Sequence, residues 1–287
     1  MAAEIPAAER LIGPPAWALA RVPGLAHGEP PRALMRLAGG SVNEVFRVDS
    51  DCGRFVLRLD GAAWRRPGVD RGRELTLHRA AAAGGIAPAI VHADPDSQGL
   101  LITEYQDGRL WCERDYEDAP ALRRLGERLQ ALHRLPAPDI PPFDPWSVAQ
   151  EYVGQINTAG AGRLPPQRLL EPLARLQRSC EALDHESSKA SIVHGDLAHS
   201  NLLEGSRLWL LDWEYAQRSD PLMDVACVLA YYPRAQAYAV ELAAAAGLSA
   251  AARGPGLSQR VYIYQALAWL WHLARGEAAS APQGSQR

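Results

Sequence analysis

The 287-residue sequence contains almost no lysine. Of its 30 Lys and Arg residues only Lys189 is a lysine, and it stands between Ser188 and Ala190. Because a P-loop requires lysine between a glycine and a serine or threonine, P-loop chemistry is excluded. The motifs G-x-G-x-x-G, G-x-S-x-G and H-E-x-x-H are missing as well. This removes the motif evidence for a Rossmann dehydrogenase, an α/β-hydrolase and a zincin.

Paired cysteines and long apolar runs are also missing. The four cysteines stand far apart, with no C-x-x-C pair and no His/Cys cluster at zinc spacing, which predicts reduced thiols. No apolar stretch approaches the length of about 18 residues that crosses a bilayer. Residues 1–10 contain two glutamates and no apolar run typical of a secretory signal. We therefore expect a cytoplasmic protein with no membrane segment.

The overall composition is that of a globular protein. Hydrophobic residues make up 47% and charged residues 22%, which permits a sizeable core. The net charge of −3 provides no positive field for nucleic acid, and no feature of the sequence indicates an obligate protein partner. At roughly 150 residues per domain, the length suggests about two domains.

Short β-type runs dominate the first third of the chain. Residues 45–48 and 55–59 are separated by a turn at 49–53 and preceded by a glycine turn at 39–43. A helix is predicted over 70–84, with Leu75, Leu77, Ala80 and Ala81 on its buried side. Residues 90–92 and 100–105 predict two more strands. Residues 1–30 are Ala/Pro-rich and predict one or two helices.

The sequence pattern becomes mainly helical after residue 108. Leucines recur at helical spacing over 119–134, and a proline-rich link leads to further helical sequence up to about 184. Short strands are expected over 192–212, a helical remainder after them, and a disordered tail after 276. The fold class is thus α+β. We predict a small antiparallel sheet with one main helix over 1–106, and a larger, mostly helical part over 107–287.

The motif with the clearest chemistry is H-x-D-x-x-x-x-N, formed by His194, Asp196 and Asn201. A turn and an apolar run follow, and the run ends in Asp212. This predicts a hairpin that brings two carboxylates and an amide to one end. Phosphoryl transfer uses such a set, because one carboxylate orients the attacking hydroxyl while an amide and a second carboxylate hold magnesium.

These residues resemble the aminoglycoside phosphotransferase and choline kinase superfamily, which consists of small-molecule kinases with a bilobal, protein-kinase-like fold. The branch of bacterial choline, ethanolamine and thiamine kinases is most similar. The resemblance runs from about 37 to 275 and is tightest over 192–226. It rests on the segments 39–43, 70–74, 129–133, 192–203, 211–216, 220–221 and 224–226.

The resemblance implies roles for individual residues. Asp196 becomes the catalytic base, Asn201 and Asp212 the magnesium ligands, and His194 and Asp224 structural supports. The implied ATP contacts are Gly39, Gly40, Ser41, Asn43, Arg58, Glu74, Glu104 and Tyr105. The candidate substrate contacts are Trp213, Glu214, Asp220, Tyr231, Trp269 and Trp271.

Two of these positions depart from related patterns. Arg58 stands where many kinases have lysine, although the choline kinase branch tolerates arginine there, and a guanidinium suits a phosphate. Arg58 could instead be an exposed strand residue. Trp213 and Glu214 replace the Phe-Gly of protein kinases after the metal-binding aspartate. No long activation segment separates Asp212 from Asp224, which argues against a protein substrate.

The sequence therefore predicts an ATP- and magnesium-dependent kinase acting on a hydroxyl of a small, cationic metabolite, with choline, ethanolamine and thiamine as leading acceptors. Aromatic and acidic side chains would suit such a cation. Two alternatives stay open. One is a phosphotransferase for aminoglycosides or other amino sugars and amino alcohols. The other is a nucleotide-binding pseudokinase with weak or no catalysis.

Overall fold

The computed structural model describes residues 13–37, 43–61, 66–158, 166–185, 190–248 and 255–282. These form two compact units. One comprises the described residues within Met1–Trp64 together with Ile90–Tyr105, and the other those within Arg65–Ala89 and Gln106–Arg287. In this division residues 65–89 and residue 106 group with the larger, C-terminal part of the chain, whereas the sequence-based prediction places residues 1–106 in the first domain.

An antiparallel sheet of five strands forms most of the first unit. Its spatial order is β1-β2-β3-β5-β4. The strands are β1 (Ala33–Arg36), β2 (Asn43–Ser50), β3 (Gly53–Asp60), β4 (Ile90–Asp94) and β5 (Leu100–Glu104). The predicted strands are thus confirmed. Of the N-terminal helices predicted, the described part contains one turn, α1 (Ala16–Leu19).

Alternating side chains explain how the first unit buries its core. Phe46 and Val48 on β2 pair with Leu57 and Phe55 on β3, and all four are buried. Apolar residues of β5, of α1 and of the segment that follows α1 complete this cluster. Arg58 lies between two core positions of β3, and its side chain therefore points to the other face of the sheet.

The second unit contains the remaining helices and strands. The helices are α2 (Arg71–Ala83), α3 (Ala119–His133), α4 (Pro145–Thr158), α5 (Pro166–His185), α6 (Leu222–Tyr231), α7 (Ala239–Ala245) and α8 (Pro255–Ala274). The strands are β6 (Arg109–Leu110), β7 (Ser191–Val193), β8 (Leu202–Glu204), β9 (Leu208–Leu210) and β10 (Gln217–Ser219).

Capping residues fix the ends of α2 and α3. The Asp70 carboxylate accepts from the Arg73 amide at the start of α2, and Asp118 does the same for Ala121 at the start of α3. The predicted helices at 70–84 and 119–134 are confirmed. The buried side of α2 was predicted wrongly in part, because Glu74 and His78 are buried there while Ala80 is half-exposed.

Two small sheets hold the segment 191–219. β8 and β9 form the predicted hairpin, with β6 added on the β8 side. β10 pairs antiparallel with β7, although the sequence after 212 was expected to be helical. Three residues are too few to show a period, so this strand has no sequence signal.

The C-terminal segment is attached to the second unit where the structure describes it. The Trp269 indole donates to the Ala279 carbonyl at 3.3 Å, and Glu277 accepts from Arg275 at 2.6 Å. Residues 277–279 thus have ordered contacts in a region predicted to be disordered. No described helix is both long and apolar enough to span a membrane.

Candidate active site

The loop after β7 brings Asp196 and Asn201 into direct contact. A single 3₁₀ turn over His199–Asn201 reverses the chain, with the Asn201 amide bonded to the Ala198 carbonyl at 2.9 Å. Asn201 Nδ2 then donates to the Asp196 carboxylate at 2.8 Å and to the Asp196 carbonyl at 3.0 Å. Asn201 Oδ1 accepts from the Ser200 hydroxyl at 3.3 Å, and its second lone pair can serve a metal as an oxygen ligand.

Asp212 lies at the same end of the β8–β9 hairpin. The Leu211 amide donates to the Asn201 carbonyl at 2.8 Å, so the returning strand ends beside the start of β8. Asp212 itself has φ of +56°, in the left-handed region that residues other than glycine rarely occupy. Backbone strain of this kind persists only where neighbouring contacts hold it, and it is typical of functional sites.

His194 forms hydrogen bonds to both segments of the candidate site, at Asp196 and at Leu211. Its Nε2 lies 2.9 Å from the Leu211 carbonyl, which can only accept, so Nε2 carries the hydrogen. Its Nδ1 accepts from the Asp196 amide at 3.3 Å. Burial lowers the pKa of His194, which favours this neutral form. These contacts suit a structural support and not a proton carrier.

Asp224 fixes the beginning of the loop. Its carboxylate is fully buried and accepts from the backbone amides of His194 and Gly195, each at 3.0 Å. His133 Nε2 lies 2.9 Å from its other oxygen. Gly195 has φ of +75°, and a Cβ there would lie 2.6 Å from the Tyr215 carbonyl, so this position requires glycine.

Asp196 has the electrostatics of a base near neutrality. Burial, followed by the negative charge of Glu214, raises the pKa of Asp196 to about 7. Hydrogen bonds from Tyr231 and Asn201 oppose this increase because they stabilise the carboxylate. The candidate substrate residue Tyr231 therefore lies directly at the candidate base.

The Glu214 carboxylate is buried and is bonded to arginine side chains. It is 6% exposed, and Arg66 Nη1 lies 2.6 Å from each of its carboxylate oxygens. Arg71 Nη1 lies 3.4 Å from one of these oxygens and 2.5 Å from Glu74, which is also buried. Glu214 is thus held in a buried ion-pair network.

The remaining candidate substrate residues have structural contacts. Trp213 is fully buried, and its indole donates to the Leu210 carbonyl at 3.0 Å. Asp220 accepts from the Leu222 amide at 2.9 Å and forms an ion pair with Arg260. Trp269 is buried at 4% exposure, and Trp271 packs against His272 and Arg275. None of these contacts involves Asp196, Asn201 or Asp212.

The candidate nucleotide residues of the first unit lie on its sheet. Arg58 is 7% exposed, which contradicts the exposed-strand alternative. Asn43 begins β2 and is also buried, and Glu104 is exposed at the end of β5. The Tyr105 amide donates to the Arg54 carbonyl at 3.0 Å and is thus already used within the sheet. Gly39, Gly40 and Ser41 lie outside the described residues.

Several residues around the loop were not singled out from the sequence. The Tyr116 hydroxyl donates to the Leu197 carbonyl at 2.6 Å, and its ring stacks on Tyr232, with 3.6 Å between ring centres. The Tyr232 hydroxyl in turn accepts from the His199 amide at 2.7 Å. Arg66 was missed as well, because one arginine among 29 gives no signal of its own in the sequence.

A metal site built from three or more His, Cys, Asp or Glu side chains does not occur among the described residues. The candidate set is instead one carboxylate and one amide, Asp212 and Asn201. Both offer hard oxygen atoms, and magnesium keeps several waters when protein ligands are few. The donor set therefore fits magnesium better than zinc, which prefers nitrogen and sulfur ligands.

An antiparallel sheet unit, a larger helical unit and this loop define the class of kinase-like phosphotransferases. The sequence matches the model of the phosphotransferase enzyme family over residues 33–258, and the chain belongs to that family. No match is found among curated proteins.

Solved structures with the same fold include kinases for small molecules. A choline/ethanolamine kinase family protein from Mesorhizobium loti is 26% identical, with a TM-score of 0.72, over 91% of this chain and 84% of that one. A choline kinase from Streptococcus pneumoniae is 15% identical, with a TM-score of 0.66, over 86% of each chain. An aminoglycoside phosphotransferase in complex with AMP-PNP and hygromycin B is 17% identical, with a TM-score of 0.64, over 87% of this chain and 89% of that one.

Proposed function

We propose that this protein is an ATP- and magnesium-dependent kinase that transfers the γ-phosphate to a hydroxyl of a small cationic metabolite of the choline, ethanolamine or thiamine class. The observation that carries the proposal is the contact between the Asp196 carboxylate and the Asn201 amide, with Asp212 returning to the same end of the hairpin. Membership of the phosphotransferase enzyme family supports the transfer of phosphate.

In this proposal Asp196 orients the acceptor hydroxyl and takes its proton as the oxygen attacks the γ-phosphorus, while the bond from that phosphorus to the bridging oxygen breaks and ADP leaves. A pKa of about 7 makes the carboxylate basic enough to accept that proton near neutral pH. Asn201 and Tyr231 hold the carboxylate in one orientation. Such positioning supplies much of the catalysis in phosphoryl transfer, where the protein forms no covalent bond itself.

Asn201 and Asp212 would hold the magnesium ion, through Oδ1 and a carboxylate oxygen. When bound, the ion would neutralise charge on the transferring phosphates. The Asn201 side chain has a double function here. Its amide nitrogen donates to the base, and its amide oxygen, which also accepts from the Ser200 hydroxyl, would bind the metal through its second lone pair.

Nucleotide use is supported by the solved structures with this fold, which include complexes with AMP, AMP-PNP and GDP. On the first unit we assign ATP contacts to residues 39–41 and 43, to Arg58 and to the backbone at Glu104 and Tyr105. Arg58 would pair with the phosphates. Since the Tyr105 amide bonds within the sheet, the adenine contact falls to the Glu104 carbonyl.

The cationic acceptor is supported by the similarity to a choline/ethanolamine kinase family protein, and by the tyrosine that donates to Asp196. Tyrosine rings near a carboxylate suit an ammonium group, and the Tyr231 ring packs edge-on against Tyr232 and Tyr264. Because Trp213, Glu214 and Asp220 are held in other contacts, we place Tyr231 first among the substrate residues.

The test is an ADP-release assay with wild-type protein and Asp196→Ala over choline, ethanolamine, thiamine, kanamycin and hygromycin B. Turnover with one of the first three, lost in the variant, supports the proposal. Turnover with an aminoglycoside alone would move the acceptor to that class. ATP binding without transfer to any acceptor would indicate a pseudokinase and overturn the proposal.

A further inference from the structure

Three arginines from one short segment contact residues that follow Asp212. Arg66 lies 2.6 Å from both oxygens of Glu214, and Arg71 lies 3.4 Å from one of them. Arg73 Nε donates to the Ala216 carbonyl at 3.1 Å. We call Arg66, Arg71 and Arg73 the arginine cluster. Its contacts span residues 214–216, immediately after the candidate metal ligand.

The segment that carries this cluster is itself anchored. Arg73 also donates to the Gly68 carbonyl, and the Tyr152 hydroxyl on α4 donates to the Pro67 carbonyl at 3.4 Å. Arg71 is bonded to Glu74 within the first turn of α2. The arginines are therefore presented by a fixed backbone and not by a free loop.

The ion pair between Arg66 and Glu214 is buried. The two side chains are 6% and 8% exposed, so neither charge is screened well by water. A buried carboxylate that loses its partner is strongly unfavourable, whereas removing both charges together costs much less. Arg66, which contacts both oxygens, is the nearer of the two arginine partners of Glu214, and this contact ties the 214 position to the segment that carries Arg66.

We propose that Arg66 is a positioning residue for phosphoryl transfer: by holding Glu214 it fixes the strained backbone of Asp212 in the geometry that binds metal. The inference rests on the proposed function for the identity of the reaction. Arg66 acts through Glu214 and does not touch substrate or nucleotide in this scheme.

The backbone conformation of Asp212 is the reason that such a support is needed. Asp212 has φ of +56°, in a sparsely populated region, and contacts on both sides hold it there. On the N-terminal side, Leu211 is bonded to Asn201 and to His194. On the C-terminal side, Trp213 is fully buried with its indole bonded to the Leu210 carbonyl, and the arginine cluster adds a restraint at Glu214 and Ala216.

The test compares Arg66→Met, Arg66→Lys, Glu214→Gln and the double variant Arg66→Met/Glu214→Gln. Binding of Mn²⁺ in the presence of AMP-PNP is measured by electron paramagnetic resonance, together with the melting temperature. Arg66→Met is expected to weaken Mn²⁺ binding about 10- to 100-fold, the usual effect of losing a residue that orients a metal ligand. Arg66→Lys keeps the charge and is expected to retain part of the affinity.

The double variant separates positioning from charge compensation. Its melting temperature is expected to recover, because no unpaired charge stays buried. Its Mn²⁺ affinity is expected to stay as weak as that of Arg66→Met, since the backbone is no longer held. Recovery of both quantities would overturn the inference, because Arg66 would then only neutralise Glu214.

A matched control is Arg124→Met, which removes a half-exposed ion pair with Glu204 and should change neither quantity. Wild-type protein that binds Mn²⁺ and AMP-PNP but transfers no phosphate would overturn the proposed function. Loss of that binding in Arg66→Met and in the double variant would still support the positioning role. Wild-type protein that binds no Mn²⁺ with AMP-PNP would overturn the inference directly.

Discussion

The two hairpins of this protein are held together in different ways. The β2–β3 hairpin pairs eight residues on each strand and buries one apolar face. The β8–β9 hairpin pairs only three on each strand, and the loop at its open end contains Asp196 and Asn201. Its surroundings are buried polar groups: His194 beneath the loop and Asp224 at its beginning.

The difference separates stability from chemistry. A long hairpin with an apolar face is stabilised by burial, which depends on no single polar contact. The short hairpin also buries an apolar pair at its open end, Leu202 and Leu210. To present two carboxylates and an amide there, it depends in addition on hydrogen bonds with defined partners, each of which is costly to lose.

The sharpest test of this comparison is Asp196→Ala. If the short hairpin carries the chemistry, turnover should fall by about 10²–10⁴-fold, the contribution typical of a positioned general base. The fold should survive, because the carboxylate is itself unfavourable in its partly buried position. Steady-state ADP release and circular dichroism measure the two effects. Asp139→Ala, at an exposed position, is the control, and full activity in Asp196→Ala would refute the assignment.

Asp224→Ala tests the polar support of the short hairpin. The substitution leaves the buried amides of His194 and Gly195 without their acceptor, at about 1–3 kcal/mol each. We expect the free energy of unfolding to fall by about 2–6 kcal/mol, and turnover of the remaining folded protein to fall with it. Urea denaturation and activity at low temperature measure the two quantities. A stable variant with normal turnover would show that the loop needs no such anchor.

Most of the fold could be predicted because its signals are local. Alternation identifies β2 and β3, leucines at helical spacing identify α3, and Asp70 marks the start of α2. The short strand β10 could not be predicted, since its three residues are defined by pairing with β7. The grouping of residues 65–89 with the second unit has no local signal either, because a helix shows that it has a buried face but not which unit covers that face.

The candidate site could be predicted only in part, because some of its contacts join residues that lie far apart in the sequence. The spacing of Asp196, Asn201 and Asp212 led to the hairpin, and the structure brings the first two into contact. Glu214 was expected at the substrate, yet its partner Arg66 lies 148 positions away in the sequence and is one of 29 arginines. Long-range pairs between common residue types leave no pattern in a single sequence.

Val48→Ala tests the apolar core of the long hairpin, as Asp224→Ala tests the polar support of the short one. Val48 is fully buried in the core of the first unit. Its truncation removes two buried carbons and should lower the free energy of unfolding by about 2 kcal/mol. Turnover of the folded protein should not change, in contrast to Asp224→Ala. Urea denaturation with parallel ADP-release assays makes the comparison, and a loss of turnover without a loss of stability would contradict it.

The smallest expected effect is a pH-dependent gain in stability from Asp196→Asn. In the folded, metal-free protein the pKa of Asp196 is about 7, whereas an unfolded aspartate has a pKa of about 3.9. Between these values the folded state holds a proton that the unfolded state has released, so the wild type loses stability as pH rises from about 4 to 7. Asparagine does not titrate and avoids this loss. The melting temperature of the variant minus that of the wild type should therefore grow over this range and level off above pH 7, with no such trend in Asp139→Asn. A difference that stays constant with pH would mean that the Asp196 carboxylate does not lower the stability of the folded protein. Stability and chemistry would then not be in conflict at this residue of the short hairpin.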